Sequence, residues 1–185
     1  MVAFPSWYQA VAGQVLGRTR PGTRLRLSFL RHALNSGWAA VQRRDFELML
    51  VRYAPDVVFH ADAGLQALGV PRSAHGREEM AGALVEILEV FDQFELVPSV
   101  VVDLGDSLIV LGGSRVHGRG SGIEFETKVA QLLRIERGLV TQERDFFSWD
   151  DALRAAALDP DTLDLPFGSR ERGRQVIARR RPRDP

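Results

Sequence analysis

The stretch Val110–Phe147, VLGGSRVHGRGSGIEFETKVAQLLRIERGLVTQERDFF, alternates polar and apolar residues over three successive segments. With the apolar segment before it, this stretch predicts four strands near 94–104, 107–118, 123–136 and 139–148, joined by Gly- and Asp-containing turns. The connections are too short for helical crossovers. The strands are therefore expected to form an antiparallel sheet.

The same segments carry polar side chains where a core strand would be apolar. Residues two apart in a strand share a face, so Arg115, His117 and Arg119 point the same way from the first segment. In the other two segments the residues that interrupt or share an apolar face are Gln131, Glu143, Asp145 and Phe147. These groups line either a wet outer surface or a pocket.

Composition excludes several classes of protein. The 185 residues carry a formal net charge of 0, which argues against a partner of strong charge such as nucleic acid. The absence of Cys excludes disulfides and thiolate metal sites. No apolar run approaches the roughly 20 residues of a membrane span. The N-terminus lacks the charged region and continuous apolar run of a signal peptide. We therefore predict a cytoplasmic protein that binds neither membrane nor nucleic acid.

The remaining sequence predicts helices gathered before the sheet. The predicted elements are a helix at 23–36 ended by Gly37, a helix from Asp45 to Tyr53, a strand at 57–61, a loop at 62–75, a helix from Gly76 and a last helix from Asp150 to Leu158. This order predicts an α+β fold in which a curved, mainly antiparallel sheet wraps around the N-terminal helices as a cone-shaped barrel. The predicted divisions are an N-terminal arm at 1–22, the domain at 23–158 and an Arg- and Pro-rich mobile tail at 159–185.

Three pieces of sequence, Tyr53-Ala-Pro-Asp-Val, His75-Gly-Arg and Arg144-Asp-Phe-Phe, carry a resemblance to a known family. With the order of elements over residues 23–158, they resemble the nuclear transport factor 2-like superfamily and, within it, the SnoaL-like branch. The resemblance implies a cone-shaped barrel with a mostly apolar pocket and often a dimer through the sheet. It leaves the function open, because this superfamily includes isomerases, cyclases, epoxide hydrolases and non-enzymatic binders.

The resemblance gives three residues candidate catalytic roles. SnoaL-like polyketide cyclases use a His and an Asp as acid and base, and His117 with Asp145 matches that pair. Limonene epoxide hydrolases use an Asp/Arg/Asp trio, of which Arg115 and Asp145 match two members while His117 replaces the first Asp. The ketosteroid isomerase pattern matches least. We predict Asp145 as the base, His117 as the acid or its partner, and Arg115 as the orienting cation.

Each of these roles has a structural alternative. Asp145 would otherwise form a buried ion pair with Arg115, and His117 would form a simple hydrogen bond to Asp145 or to a pocket water. Glu143 is either a second acid or a group at the pocket mouth, and exposure is the favoured expectation. The residues expected to contact a ligand are Tyr53, His60, Gln131, Glu143 and Phe147.

The sequence thus predicts a pocket protein that needs no cofactor. It would act by acid/base chemistry on a small, largely apolar oxygenated molecule, as an isomerase, cyclase or hydrolase, and form a homodimer. The alternative is a non-catalytic ligand-binding or dimerisation module of the same fold. No metal site is predicted, because the His spacings typical of zinc sites are missing. The Arg-rich tail is expected to be solvated.

Overall fold

We describe a computed structural model of the chain, in which residues 6–67, 69–118, 124–159 and 176–178 are described. The helices are α1 (Ser6–Arg18), α2 (Arg24–Gln42), α3 (Phe46–Leu50), α4 (Ala63–Gln66), α5 (Gly76–Val90) and α6 (Trp149–Ala155). The strands are β1 (Tyr53–Ala61), β2 (Ser73–His75), β3 (Phe91–Asp103), β4 (Ser107–Gly118), β5 (Glu124–Glu136), β6 (Leu139–Phe146) and β7 (Val176–Ala178). None of the helices in these ranges is long and apolar enough to cross a bilayer.

The described strands form one sheet in the order β2-β1-β6-β5-β4-β3-β7. Neighbouring strands are antiparallel except for two pairs, β1 with β6 and β3 with β7, which are parallel. The sheet does not close on itself; it curves around α1, α2 and α5 as an open cone. The predicted α+β class, with a mainly antiparallel sheet wrapped around helices, is confirmed.

The sheet is buried on both faces where helices cover it. On the concave face, Leu108 and Val110 of β4 pack with the helices into the larger core cluster. On the convex face, Ile109 and Leu111 pack against Leu153 of α6, and these three side chains are fully buried. Burying a side chain of this size stabilises the fold by roughly 1.5–3 kcal/mol. Both faces of β4 are therefore apolar here, which matters for the placement of the site residues.

The prediction that α2 ends at Gly37 is wrong, since the helix continues to Gln42. Ala40 and Val41 are buried in the core, and Trp38 packs against it. The burial of this last turn outweighs the cost of about 1 kcal/mol that Gly imposes inside a helix.

Three other predicted element boundaries also differ from those of the structure. Tyr53 was expected to close a helix, but α3 ends at Leu50 and Tyr53 is the first residue of β1. The loop expected at 62–75 contains α4, which Asp62 caps, and the short strand β2. The cap of α6 is Ser148, two residues before the expected Asp150. These changes follow from side-chain caps and strand pairings that only the folded chain brings together.

Beyond residue 159, the expected C-terminal tail is described only at residues 176–178. These three residues form β7, which pairs in parallel with Val100–Val102 of β3. The described part of the tail is thus a strand, whereas its Arg-rich remainder lies outside the described residues.

A buried ion pair fixes the helical layer to one end of the sheet. Arg26 of α2 donates from Nε to Asp103 Oδ2 at 2.7 Å and from Nη2 to Oδ1 at 3.1 Å. The two side chains are 1% and 2% exposed. The same guanidinium donates to the carbonyl oxygens of Leu16 and Gly105. Arg26 therefore joins the end of α1, the start of α2 and the β3–β4 turn.

The N-terminal arm packs on its own domain through a close approach of α1 to the β5–β6 turn. Gly138 in this turn has φ +83°, and a Cβ added there would lie 2.4 Å from the backbone nitrogen of Gly13. The turn therefore requires Gly for two reasons, the left-handed backbone and the space needed by α1.

We expect Gly138→Ala to lower the free energy of unfolding by more than the roughly 1 kcal/mol typical of a left-handed Gly, and to loosen α1. Gly69→Ala is the matched control, because Gly69 has φ +90° and no heavy atom within 4 Å of its added Cβ. Urea denaturation of both variants, with limited proteolysis at α1, measures the difference. Equal destabilisation by the two substitutions would contradict a tight α1 contact.

Candidate active site

A cavity of about 150 Å³ lies between the concave face of the sheet and helices α1, α2 and α5. Its wall is mainly apolar, with Leu30 and Trp38 from α2 and Met80 from α5. The polar side chains on its wall include Tyr8, Arg52, Tyr53, Gln131, Glu143 and Asp145. An apolar cavity with a few polar groups on one wall is the usual form of a small-molecule site.

Two carboxyl groups from β6 face this cavity side by side. Glu143 is 2% exposed, and its Oε1 accepts a hydrogen bond of 2.6 Å from Gln131 Nε2. The same Nε2 lies 3.4 Å from Asp145 Oδ1. Gln131 reaches both carboxyls because β5 pairs with β6 in a register that sets Gln131 opposite Asp145 and Leu133 opposite Glu143. One amide thus holds both carboxyls.

A β-bulge in β6 brings Glu143 to the cavity. Val140 pairs with Ile135, and Gln142 pairs with Arg134, so Thr141 is an extra residue on this strand. Val140 and Glu143 are three positions apart and would face opposite sides in a regular strand, yet both line the cavity. Because of the bulge, the apolar Val140 at the start of β6 and the polar Glu143 further along both face the cavity.

Burial raises the pKa of both carboxyls, and the charge of Glu143 raises that of Asp145 further. The pKa of Asp145 is held well above its ordinary value, first by burial and then by the charge of Glu143. Burial also raises the pKa of Glu143, against an opposing effect of Tyr53, Asp145 and Gln131. Because the two carboxyls interact, they lose their protons in two steps that belong to the pair and not to either residue alone. The pair therefore keeps a proton to higher pH than an isolated carboxyl would.

One oxygen atom of the carboxyl pair has no hydrogen-bond partner in the described part of the chain, and a proton bound there would allow it to form a hydrogen bond. Glu143 Oε2 is buried and accepts no hydrogen bond from the described residues. The two carboxyls interact closely enough for a hydrogen bond once one is protonated. A proton held by the pair removes the cost of about 1–3 kcal/mol that a buried unsatisfied polar atom carries.

Tyr53 completes the polar wall at the start of β1. Its side chain is buried, and its pKa lies well above the ordinary value because of burial and the neighbouring Glu143 carboxylate. Tyr53 therefore stays a neutral phenol that can donate a hydrogen bond.

The structure brings together five of the residues expected at the site. They all line the one cavity described above: Tyr53, Gln131, Glu143, Asp145 and Phe147. Glu143, for which exposure was the favoured expectation, is instead fully buried.

The expected contact between Arg115 and Asp145 is wrong. Arg115 donates from Nη2 and Nε to Glu126 Oε1 at 2.8 Å and 3.0 Å, and from Nη1 to Glu95 Oε2 at 3.4 Å. Its side chain is 56% exposed. Arg115 lies one residue after Ser114, which lines the cavity, so Arg115 points to the other face of β4.

His60 also lies away from the cavity. It is exposed on β1 between Phe59 and Ala61, which are both buried. The side chain of His117 lies outside the described residues, as does Arg119. Within the described part of the chain, no cluster of three or more His, Asp and Glu residues could hold a metal ion.

Sequence reasoning missed Arg52 as a cavity residue. Arg52 follows the buried residues Met49, Leu50 and Val51 and precedes Tyr53. A charged residue inside such an apolar run was the available signal, because a buried cation needs a specific reason.

The open, cone-like sheet wrapped around helices is the fold of nuclear transport factor 2-like proteins. Residues 36–143 match the family model of the SnoaL-like domain. This match spans more than half of the chain, and the chain belongs to the SnoaL-like domain family. No curated protein sequence matches it.

Solved structures agree with this assignment. An NTF2-like protein of unknown function from Burkholderia pseudomallei K96243 is 25% identical, with a TM-score of 0.57 over 67% of this chain and 94% of that one. TerC, co-crystallised with polyporic acid, is 21% identical, with a TM-score of 0.57 over 69% and 95% of the two chains. A candidate SnoaL-like polyketide cyclase from Jannaschia sp. CCS1 is 17% identical, with a TM-score of 0.55 over 65% and 83%. The similarity to TerC and to the Jannaschia protein is a similarity of fold alone.

Proposed function

We propose that this protein is a cofactor-free acid/base enzyme that acts on a small, largely apolar oxygenated molecule. The observation that carries this proposal is the pair of carboxyls, the buried Glu143 and the partly buried Asp145, on the wall of an apolar cavity. In the described part of the chain, no Arg, Lys or His forms an ion pair with either carboxyl. A pair with one shared proton offers an acid and a base at the same pH.

The proposed chemistry moves one proton at a time. The ionised Asp145 carboxylate removes a proton from a carbon next to a carbonyl group, and the electron pair of that C–H bond forms an enolate. A neutral donor on the same wall, the Tyr53 phenol, hydrogen-bonds the enolate oxygen. Return of the proton to another carbon gives an isomer, whereas attack of the enolate carbon on a second carbonyl closes a ring.

The geometry favours proton transfer at carbon over epoxide opening. The Asp/Arg/Asp arrangement needs a cation beside the carboxylate, and Arg115 lies on the other face of β4. We therefore place isomerase or cyclase before hydrolase among the three classes.

The cavity volume supports a small substrate. A cavity near 150 Å³ is of the size that holds a benzene-sized molecule. TerC, a neighbour in fold, was crystallised with polyporic acid, which fits the proposal of an oxygenated ligand for this chain.

The test is turnover of a panel of β-keto compounds, β,γ-unsaturated ketones and epoxides, each with one ring or a short chain. Wild type is compared with Asp145→Asn, and Asp56→Asn serves as control because Asp56 is exposed on β1. Turnover that Asp145→Asn loses and Asp56→Asn keeps supports the proposal and names the reaction class. Turnover of no panel member by a folded wild type would favour the second candidate.

The second candidate is a ligand-binding module without chemistry. It is favoured by the nearly complete apolar lining, which binds small molecules whether or not they react. Under this alternative the carboxyl pair serves only to orient the ligand. Saturable binding of panel compounds without turnover is its expected result.

Homodimerisation and a cytoplasmic location stay predictions. The outer face of β4 and β5 carries the exposed ion pair of Arg115 with Glu126, and Lys128 lies over the ring of Trp149. Such a face is polar, so a dimer through it would be held by charged contacts. Sedimentation velocity at low and high salt measures the oligomeric state.

A further inference from the structure

Arg52 is a cation on the cavity wall to which the proposed chemistry gives no task. It follows α3 and is half-buried. Nη2 donates to Ser36 Oγ at 2.6 Å, and Nη1 donates to the carbonyl oxygens of Leu48 at 2.9 Å and Met49 at 3.3 Å. These acceptors are all neutral. Nε is buried without a hydrogen-bond partner.

The protein supplies little to offset this charge. Burial lowers the pKa of Arg52, and the groups that oppose this effect are the hydroxyls of Tyr8 and Tyr53. The guanidinium carbon lies 5.8 Å from the centre of the Tyr8 ring, a cation–π contact. A desolvated cation whose neighbours are neutral attracts an anion more strongly than an exposed one.

We propose that Arg52 and Tyr8 form an anion subsite in the cavity that binds the carboxylate of a small apolar acid. The inference rests on the proposed function only in that both place the ligand in the same cavity. With Nη1 and one hydrogen of Nη2 bound to the protein, the Nε–H and the second Nη2–H of Arg52 remain as donors for a carboxylate. The Tyr8 ring, 6.1 Å from the ring of Phe29, continues the wall as an apolar surface for the rest of the ligand.

The subsite also orients the ligand towards the carboxyl pair. Tyr53 lines the same cavity and interacts with both Arg52 and Glu143. A ligand held at Arg52 therefore extends its apolar body along Tyr53 towards Glu143 and Asp145. The anion end stays away from the pair, since two like charges in a buried site repel each other.

The experiment compares each acid with its neutral amide by calorimetry at pH 7. The probes are benzoate with benzamide, and cyclohexanecarboxylate with cyclohexanecarboxamide. We expect wild type to bind each acid about 10-fold to 100-fold more tightly than its amide, as for hydrogen bonds to charged groups. Arg52→Met should abolish that preference while amide binding stays the same, which shows that the variant is folded. Arg52→Lys keeps the charge and should keep part of the preference.

Arg134→Gln is the matched control for the loss of one positive charge. Arg134 is exposed and pairs with Glu136, so its loss should leave the preference unchanged. The subsite is overturned if wild type binds neither acid more tightly than its amide, or if Arg52→Met retains the preference. These readouts are affinities. Failure of the subsite therefore leaves the turnover test standing, and failure of the turnover test leaves the subsite standing.

Discussion

Replacement of Asp145 with Asn is expected to lower kcat/KM by about 100-fold to 10 000-fold on any substrate that wild type turns over. This is the range of a general base that acts directly on the reacting atom. The Asn side chain keeps the size of Asp145 and its contact with Gln131 but cannot accept the proton. Substrate binding should change little, so the loss should appear in kcat more than in KM. A loss that appears in KM alone would assign Asp145 to binding.

The stability of this variant separates catalysis from folding. Asp145 is an acid whose folded pKa is raised, so in the pH window between its unfolded and folded pKa the native state binds more protons than the unfolded state. Stability therefore falls as pH rises through that window. Asp145→Asn removes this cost, and its free energy of unfolding at neutral pH should equal or exceed that of wild type. A less stable variant would mean that the carboxylate supports the fold.

Glu143→Gln gives the pH dependence of the pair. The charge of Glu143 is the second cause of the raised pKa of Asp145 after burial. Without that charge, the pKa of Asp145 moves down towards its ordinary value, and the acidic limb of the kcat/KM profile should shift to lower pH. Asp56→Asn should leave the profile in place. An acidic limb that does not move would show that the two carboxyls titrate independently.

Loss of the Asp103 carboxylate is expected to be the most destabilising single change considered. Asp103→Ala leaves the Arg26 guanidinium buried without its anion, and breaking a buried ion pair in this way costs about 3–5 kcal/mol. The backbone N–H of Gly105, which donates to Asp103 Oδ1 at 3.1 Å, also loses its acceptor. In a chain of this length the change corresponds to a fall in Tm of roughly 6–20 °C.

Glu136→Ala is the control for this prediction. Glu136 pairs with Arg134 at 3.1 Å, but both side chains are more than half exposed, so the substitution should change stability by less than about 1 kcal/mol. Thermal and urea unfolding followed by circular dichroism measure both variants. Similar small effects for Asp103→Ala and Glu136→Ala would show that the Arg26 site relaxes or admits water.

Both strands lie where the sequence predicts them, but Asp145 of β6 lines the cavity as predicted whereas Arg115 of β4 does not, and the reason is the number of buried faces. In β6 the side opposite Asp145 carries exposed polar residues, so only the face of Asp145 remained for the pocket. In β4 both Leu108 with Val110 and Ile109 with Leu111 are apolar, since α6 covers the second face. Alternation then no longer tells which parity points inward. Arg115 was assigned to the cavity by its resemblance to a family motif, and the strand presents Ser114 there instead.

The sequence by itself determined the α+β class and the mainly antiparallel sheet, because period-two alternation, short turns and capping residues are local signals. The family resemblance, in turn, implied Asp145 as the candidate base. Only the tertiary structure decided which carboxyls meet. The bulge at Thr141 turns Glu143 to the cavity, and the β5–β6 register sets Gln131 between Glu143 and Asp145. It also decided that Arg52 borders the same cavity and that Arg26 pairs with Asp103 across 77 positions. Such contacts depend on the packing of distant segments, and local sequence patterns carry no record of that packing.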